Sequence, residues 1–301
     1  MITQLEELVE EARLRGRKRL AVAYGNDAHT LGAVYEAWCK GLVEPTVFGD
    51  KAEILRICKE NNIDASAFAI VEEKSDVRCV QLAVSLVATG GADVLMKGLV
   101  STDKYMRGIL NKEAGLFPPK GTLSHVSVVQ LPGRPKLLCI SDVAVIPQPD
   151  FKQKTILIGY LTKIANSLGV ARPKIACIAP SEQVLPSVLS STESAILAKM
   201  GDRGQLGNVE VDGPLSLDVA LYSEVAKEKK VQGSRVAGDP DCLLFPNIES
   251  GNVFFKAASH FGGAEIAAIV VGTKVPCVLT SRGDTPSTKL YSIALACLQS
   301  K

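Results

Sequence analysis

The segment VPCVLTSRGDTPSTKLYSIALA, residues 275–296, changes abruptly from apolar residues to a polar and charged turn. Its beginning is typical of a buried strand, and apolar residues from Leu290 onward recur at the spacing of one helix face. Thr285, followed by Pro286, predicts the N-cap and first residue of that helix. Backbone N–H groups in the turn and the planar guanidinium of Arg282 suit a phosphate group. A phosphate site and a solvated arginine in a surface loop both fit this pattern.

A lysine stands at the end of a second strand-like run. In GADVLMKGLVSTDKYMRGILNKEAG, the apolar residues up to Met96 are followed by Lys97 and Gly98, and a helix is predicted to open after Ser101 or Thr102. A lysine at the carboxyl end of an interior strand has to reach a cleft or an oppositely charged partner. Ligand binding and a structural ion pair are therefore both open for Lys97.

Polar residues follow two other predicted strands. Residues 25–27, Gly-Asn-Asp, follow RLAVAY, while Asn247 and then residues 250–252, Ser-Gly-Asn, follow DCLLFP. Open α/β sheets bind ligands outside the carboxyl ends of their strands. We therefore expect four polar strand ends to face one crevice, although a helix cap or a turn explains each of them separately.

Familiar cofactor and metal motifs are missing from the chain. There is no P-loop, no H-E-x-x-H, and no G-x-G-x-x-G placed between a strand and a helix. The three histidines, at positions 29, 125 and 260, are scattered, and a structural role is the first interpretation of each. His125, in LSHVSVV, is retained as a candidate site residue.

Short β-branched runs alternate with helical patterns along most of the chain, which predicts an α/β fold with mostly parallel sheets and flanking helices. One helix is predicted over residues 215–229. The alternation breaks at HVSVVQLPGRPKLLCISD, which reads as two strands joined by a turn. The predicted strands cover residues 19–24, 46–49, 93–98, 136–142, 174–179, 241–246 and 266–272.

Length and composition set the class of protein. A chain of 301 residues predicts about two domains, and its net charge of +2 excludes a broad basic face for nucleic acid or an anionic membrane. The eight cysteines form no C-x-x-C pair, which favours buried free thiols over disulfides or zinc. The charged N-terminal segment is unlike a signal peptide, and no apolar run approaches a membrane span. The expected location is the cytoplasm.

Four segments, in this order and spacing, resemble the phosphate acetyl/butyryltransferases, and the butyryl branch most closely. The resemblance implies reversible exchange of a short-chain acyl group between coenzyme A, a substrate, and inorganic phosphate, with no permanent cofactor and no metal. It also implies the two-domain fold of isocitrate/isopropylmalate dehydrogenases, an active site in the interdomain cleft, and a homodimer or higher homo-oligomer. The expected domains are residues 1–140 completed by 281–301, and residues 141–280. The segments are LMKGLVSTDKYMRGILNKEAGL, VDGPLSLDVAL, VAGDPDCLLFPNIESGNVFFKA and VGTKVPCVLTSRGDTPSTKLYSIALA.

The same resemblance implies roles for particular residues. Ser281 would hydrogen-bond the reacting centre, Arg282 would hold an anionic group, and Lys97 would assist with phosphate. The acetyl members carry an aspartate seven residues after the motif serine, proposed as the base for the CoA thiol, but Thr288 stands there in this chain. A threonine is no base at neutral pH. Asp284 is the candidate in its place, while a base elsewhere in the chain and thiol deprotonation without a dedicated side chain both stay open. Further candidate binding residues are Gly98, His125, Asn247, Ser250, Gly251, Asn252 and Thr280.

Two other functions remain open at this point. A dehydrogenase for a small hydroxy acid, using NAD(P), could be built on the same scaffold, although no metal-binding aspartate cluster is recognisable. A CoA- or acyl-phosphate-binding protein without catalysis would keep Lys97 and Arg282. The sequence leaves the acyl chain length open as well, because one methylene changes discrimination by only about 1–3 kcal/mol.

Overall fold

The computed structural model describes residues 1–280 and 284–300. The candidate residues Ser281 and Arg282 therefore lie outside the described residues. The chain forms two compact units, one of residues 5–123 with 266–301 and the other of residues 1–4 with 124–265. Among the described helices, none is both long and apolar enough to cross a membrane.

The first unit begins with alternating helices and strands, as the sequence pattern predicts. Its strands are short and largely apolar, and its helices mostly open at a polar N-cap such as Asp27, Asp50 or Ser75. The elements are α1 (Leu5–Leu14), β1 (Lys18–Ala23), α2 (Ala28–Cys39), β2 (Val43–Gly49), α3 (Lys51–Glu60), β3 (Ala69–Glu72), α4 (Asp76–Ala88), β4 (Val94–Lys97) and α5 (Thr102–Leu110).

The second unit contains the predicted hairpin followed by further strands and helices. Its strand order is β5-β6-β9-β7-β8, in which β5 and β6 are antiparallel and the remaining neighbours are parallel. The elements are β5 (Ser124–Gln130), β6 (Leu138–Ser141), α6 (Phe151–Ser167), β7 (Lys174–Ile178), α7 (Leu189–Asp202), β8 (Glu210–Leu215), α8 (Leu217–Leu221), α9 (Ser223–Glu228), β9 (Cys242–Leu244) and α10 (Ile248–His260).

The chain then completes the first unit with β10 (Glu265–Val271), β11 (Cys277–Val278) and α11 (Pro286–Gln299). The strand order of this unit is β3-β2-β1-β4-β11-β10, and only β10 and β11 pair antiparallel. Helix α11 opens at Thr285, whose hydroxyl accepts a hydrogen bond from the Thr288 N–H, with Pro286 in the first turn. Every residue from Lys289 to Leu298 is buried, so α11 is a core helix rather than an amphipathic one.

The compact units differ from the predicted domains of residues 1–140 with 281–301 and residues 141–280. Strand β5 pairs with β6, and β6 pairs with β9, which places the hairpin inside the second unit. The predicted domain borders stay a prediction, because compactness alone does not define a functional domain.

The α/β class and the mostly parallel pairing are confirmed, but the segment predicted as one helix over residues 215–229 forms two short helices, α8 and α9. Leu215 pairs with Ile178 at the end of β8, and Tyr222 has an extended backbone that separates α8 from α9. Strand pairing thus overrides the helical pattern at Leu215 alone, and the break at Tyr222 divides the remainder into two helices. The sequence prediction also missed β3 and β8. All eight cysteines, each within the described residues, are free thiols, and only Cys39 is exposed.

Candidate active site

The carboxyl ends of three neighbouring parallel strands meet in the first unit. Ala23 of β1 stands opposite Lys97 of β4, and Val278 of β11 stands opposite Met96. Beyond these ends lies a pocket of about 170 Å³, smaller than the roughly 300–1,000 Å³ of sites for drug-sized ligands. Its size fits a small ion or group. The pocket is lined by Asp27, His29, Thr30, Lys97, Gly98, Leu99, Thr280 and Lys289.

Two buried lysines give the pocket its positive charge. Lys97 is 5% exposed and Lys289 is 3% exposed. The ammonium of Lys97 donates to the Gly98 carbonyl over 3.2 Å, and that of Lys289 donates to the Asp284 carbonyl over 3.0 Å. Burial lowers the pKa of Lys289, while the nearby carboxylates of Asp284 and Asp27 oppose that shift. Two ammonium groups in one small pocket favour an anionic ligand.

Close backbone packing fixes the position of Lys97. The Gly98 N–H donates to the Ala23 carbonyl over 2.9 Å, and the Leu99 N–H donates to the Tyr24 carbonyl over 2.8 Å. Tyr24 has a φ of 65°, a conformation that costs energy for a residue with a side chain. The first residues after β1 and β4 are thus held together, and the lysine cannot shift without breaking these bonds.

Tyr105 links two of these strands, β4 and β11, through hydrogen bonds. This fully buried residue of α5 directs its hydroxyl to the Leu95 carbonyl at 3.3 Å and the Val278 carbonyl at 3.1 Å. Burial raises its pKa well above the ordinary value, so the phenol stays protonated and serves as a donor. Tyr105 therefore ties the ends of β4 and β11 into a single platform.

The cysteine of β11 is poorly suited to act as a nucleophile. Cys277, in β11, is completely buried, and burial raises the pKa of its thiol to about 12. A thiol with such a pKa is almost entirely protonated at neutral pH, whereas nucleophilic attack needs the thiolate. Covalent acyl transfer through Cys277 is therefore disfavoured.

The structure brings together three of the predicted binding residues, Lys97, Gly98 and Thr280, in the lining of this pocket. Asp284 contributes its carbonyl to Lys289 and lies close enough for its carboxylate to act on the pKa of that lysine. The catalytic roles predicted for Ser281, Arg282 and Asp284 stay predictions.

The predicted binding residues near α10 lie in the second unit and are engaged in local packing. The Asn247 side chain accepts a hydrogen bond from the Ser250 N–H over 3.0 Å as the N-cap, and the Ser250 hydroxyl bonds to the same oxygen over 2.8 Å. The Asn252 amide donates to the Val143 carbonyl over 3.0 Å. A Cβ on Gly251 would lie 2.3 Å from the Asp142 carbonyl oxygen. These contacts seat α10 on the turn after β6, and ligand roles for the four residues stay predictions.

A buried carboxylate organises that turn. Asp142, 1% exposed, accepts hydrogen bonds from the Ser124 hydroxyl and from four backbone N–H groups, those of residues 125, 144, 145 and 146. His125 is buried beside it, with its Nδ1 3.3 Å from the Ser127 hydroxyl and its ring edge-on to Phe255. These contacts give His125 a packing role within the second unit, and its predicted binding role is untested.

Five lining residues were missed as site candidates: Asp27, His29, Thr30, Leu99 and Lys289. Lys289 precedes Ile293 by four residues and Cys297 by eight, so it shares a face with apolar residues of α11. A charged residue on an otherwise apolar helix face was the sequence feature from which Lys289 could have been predicted as a site residue. Asp27 stands at a predicted strand end, where a helix cap or a turn is an alternative explanation for it. His29, for which a structural role was the first interpretation, lines the pocket.

The fold and this pocket define an α/β protein with a small, positively charged site at the carboxyl ends of parallel strands. Residues 77–297 match the family described as phosphate acetyl/butaryl transferase. This match covers most of the chain, and the chain belongs to that family. The identification made from the four segments is confirmed.

Individual relatives are similar over almost their whole length. The phosphate butyryltransferase of Clostridium acetobutylicum is 41% identical over 298 residues, 99% of this chain and 98% of that protein. The phosphate acetyltransferase of Thermotoga maritima is also 41% identical, over 97% of this chain and 98% of that protein. The crystal structure of a branched-chain phosphotransacylase from Enterococcus faecalis V583 superposes with a TM-score of 0.82 at 31% identity, covering 94% of this chain and 98% of that one.

Proposed function

We propose that this protein transfers a short-chain acyl group, butyryl or similar, reversibly between coenzyme A and inorganic phosphate. The observation that carries this proposal is the pocket lined by Lys97, Thr280 and Lys289 within a chain of the phosphate acyltransferase family. Its two buried ammonium groups match the charge of inorganic phosphate, and its size matches a small anion better than a whole coenzyme A.

In the direction of acyl phosphate synthesis, a phosphate oxygen attacks the thioester carbonyl. The new O–C bond forms, the C–S bond breaks, and the proton lost by hydrogen phosphate ends on the leaving CoA thiolate. Lys97 and Lys289 hold the phosphate, which converts a bimolecular encounter into a reaction between positioned groups. By family likeness, Ser281 and Arg282 stabilise the tetrahedral oxyanion and a neighbouring anionic group.

Thr288 is unsuitable as the base that the acetyl members are thought to use. Its hydroxyl lies 3.0 Å from the Thr285 hydroxyl, in the cap of α11, and its chemistry excludes proton abstraction at neutral pH. Asp284 is the carboxylate of this turn that the structure describes, and we assign it as the candidate base for the CoA thiol in the reverse direction.

The reaction is tested by the release of free CoA thiol from acetyl-, butyryl- and branched acyl-CoA, with and without phosphate. We expect phosphate-dependent release, fastest with a four-carbon chain. The equal identities to a butyryl- and an acetyltransferase leave the chain length to this measurement. Absence of phosphate-dependent release from every thioester would overturn the proposal. Adding NAD(P) with small hydroxy acids to the same preparation tests the dehydrogenase alternative.

Replacing Arg282 by alanine should lower kcat/KM for acyl transfer by at least about tenfold, because an anion-binding guanidinium is lost. The described residues Thr280 and Lys289 line the pocket, and the role of Arg282 itself rests on the family likeness. Arg107→Ala, which removes an exposed arginine paired with Asp103 on α5, is the matched control and should leave the rate unchanged. Turnover like that of the unmodified protein in a folded Arg282→Ala variant would contradict the role.

The finer architecture is part of the same proposal. We assign an isocitrate/isopropylmalate dehydrogenase-like organisation with domains of residues 1–140 plus 281–301 and of residues 141–280, an active site in the cleft between those domains, and a homodimeric or higher assembly. Sedimentation equilibrium of the purified chain tests the assembly, and a single monomeric species would refute it.

A further inference from the structure

The two oxygens of the pocket carboxylate differ in their hydrogen bonds to the described part of the chain. Asp27 is the N-cap of α2, and its Oδ1 accepts the Thr30 N–H over 2.8 Å. Its Oδ2 is buried and has no hydrogen-bond partner among the described residues. A buried polar atom without a partner is costly, because it has lost its water and gained nothing in exchange. The cap needs one oxygen only, so it does not account for the other.

A carboxylate oxygen is an unusual group in a pocket whose lysines favour an anion. Lys97 and Lys289 line the same pocket, His29 lies at it, and the electrostatic influence of Asp27 reaches the ammonium of Lys289. The lysines attract an anion, while a carboxylate repels one. The repulsion is relieved only when the bound anion carries a proton that it can donate to Oδ2, which forms a charge-assisted O–H···O bond.

We propose that Asp27 is a specificity-determining residue that admits a protonated tetrahedral anion, hydrogen phosphate, and rejects sulfate. At neutral pH inorganic phosphate retains at least one proton, whereas sulfate has none, although the two ions are alike in shape and size. Hydrogen phosphate therefore satisfies Oδ2 as well as the lysines. Sulfate brings the same two negative charges as hydrogen phosphate but offers the carboxylate no donor. This inference rests on the proposed function, because it assigns the pocket to the phosphate substrate.

The test is Asp27→Asn, which keeps the side-chain oxygen that caps α2 and removes the negative charge. Binding of phosphate and of sulfate to the full-length chain is measured by isothermal titration, and sulfate is tested as a competitive inhibitor of phosphate-dependent CoA release. In the unmodified protein we expect sulfate to bind at least about tenfold more weakly than phosphate. In Asp27→Asn the ratio of phosphate affinity to sulfate affinity should fall by on the order of tenfold or more, because both anions lose the repulsion but only phosphate loses an acceptor for its proton.

Asp50→Asn is the matched control. Asp50 caps α3 in the same unit through the same kind of bonds, to the N–H groups of Ala52 and Glu53, but does not line the pocket. It should leave the phosphate-to-sulfate ratio unchanged. If Asp27 were only a cap or a neutralising charge, Asp27→Asn would shift the affinities for both anions in the same direction and preserve their ratio, which would overturn the inference.

The two proposals fail in different ways. Phosphate-dependent CoA release together with an unchanged ratio in Asp27→Asn rejects the role of Asp27 and leaves the acyltransferase function standing. Absence of CoA release in the unmodified protein rejects the function, while the titrations still report whether the pocket distinguishes the two anions. Failure of phosphate to bind the unmodified protein in the titration overturns the inference.

Discussion

Replacing Lys97 by methionine is expected to lower kcat/KM for phosphate by about a hundredfold, mostly through KM. Methionine keeps the length and apolar volume of the lysine stem but removes the ammonium group. Lys97 is 5% exposed, so little water is available to substitute for that charge, and its loss weakens anion binding more than at a surface. Initial rates at varied phosphate and fixed butyryl-CoA measure the effect.

The matched control for this variant is Lys154→Met. Lys154 is another buried lysine, 6% exposed, and it pairs with Glu193 in the second unit. Its replacement should reduce the free energy of unfolding by leaving Glu193 unpaired, yet KM for phosphate should not change. If KM for phosphate were also unchanged in Lys97→Met, Lys97 would not bind phosphate and its role would be structural.

Lys289→Met extends the test to the lysine that the sequence analysis missed. Both lysines line one pocket, so they would act on the same anion and their effects should not multiply. We expect the double variant to lose less activity than the product of the two single losses. Independent effects would indicate that the lysines hold two different groups.

The sequence predicted a site residue where a charged side chain stood out among the apolar residues of its own helix or strand. Lys97 was predicted because an ammonium group is unusual at the end of an apolar strand. The register of β1, β4 and β11 brings the ends of these strands together, and Lys97 and Thr280 line the same pocket. Lys289 was missed because the apolar pattern of α11 was interpreted as a single buried face. The helix is buried all round from Lys289 to Leu298, which depends on packing by distant elements such as α1 and α2.

Other parts of the site depend on individual atoms, which a sequence pattern does not resolve. At Asp27, a helix cap is enough to explain the residue type, and only the structure shows that one carboxylate oxygen accepts a hydrogen bond while the other has no partner within residues 1–280 and 284–300. At Asn247 and Ser250, the same residue types serve equally as caps or as ligands, and here their side chains bond to each other and to the start of α10. Residue type and spacing therefore located the strand ends. They did not show which hydrogen bond each side-chain atom forms there.

Gly98→Ala should cost about 3 kcal/mol or more of unfolding free energy and disable phosphate binding at the same time. A Cβ at this position would lie 2.1 Å from the Tyr24 carbonyl oxygen and 2.9 Å from the Ala23 carbonyl oxygen. Both atoms belong to backbone at the end of β1, which cannot move away as a flexible side chain would. Relief of the clash requires β4 to separate from β1, and Lys97 moves with it. Urea unfolding and KM for phosphate measure the two effects.

Gly32→Ala shows what the same chemical change does without the close approach. Gly32 lies inside α2, and a Cβ there would meet no atom within 4 Å. Alanine is the better helix former by about 1 kcal/mol, so this variant should be more stable than the unmodified chain and equally active. The opposite signs of the two glycine substitutions separate the steric demand at Gly98 from the general effect of adding a methyl group. A Gly98→Ala protein that unfolds at the same urea concentration as the unmodified chain would show that β1 and β4 are not held as closely as the hydrogen bonds of Gly98 and Leu99 indicate.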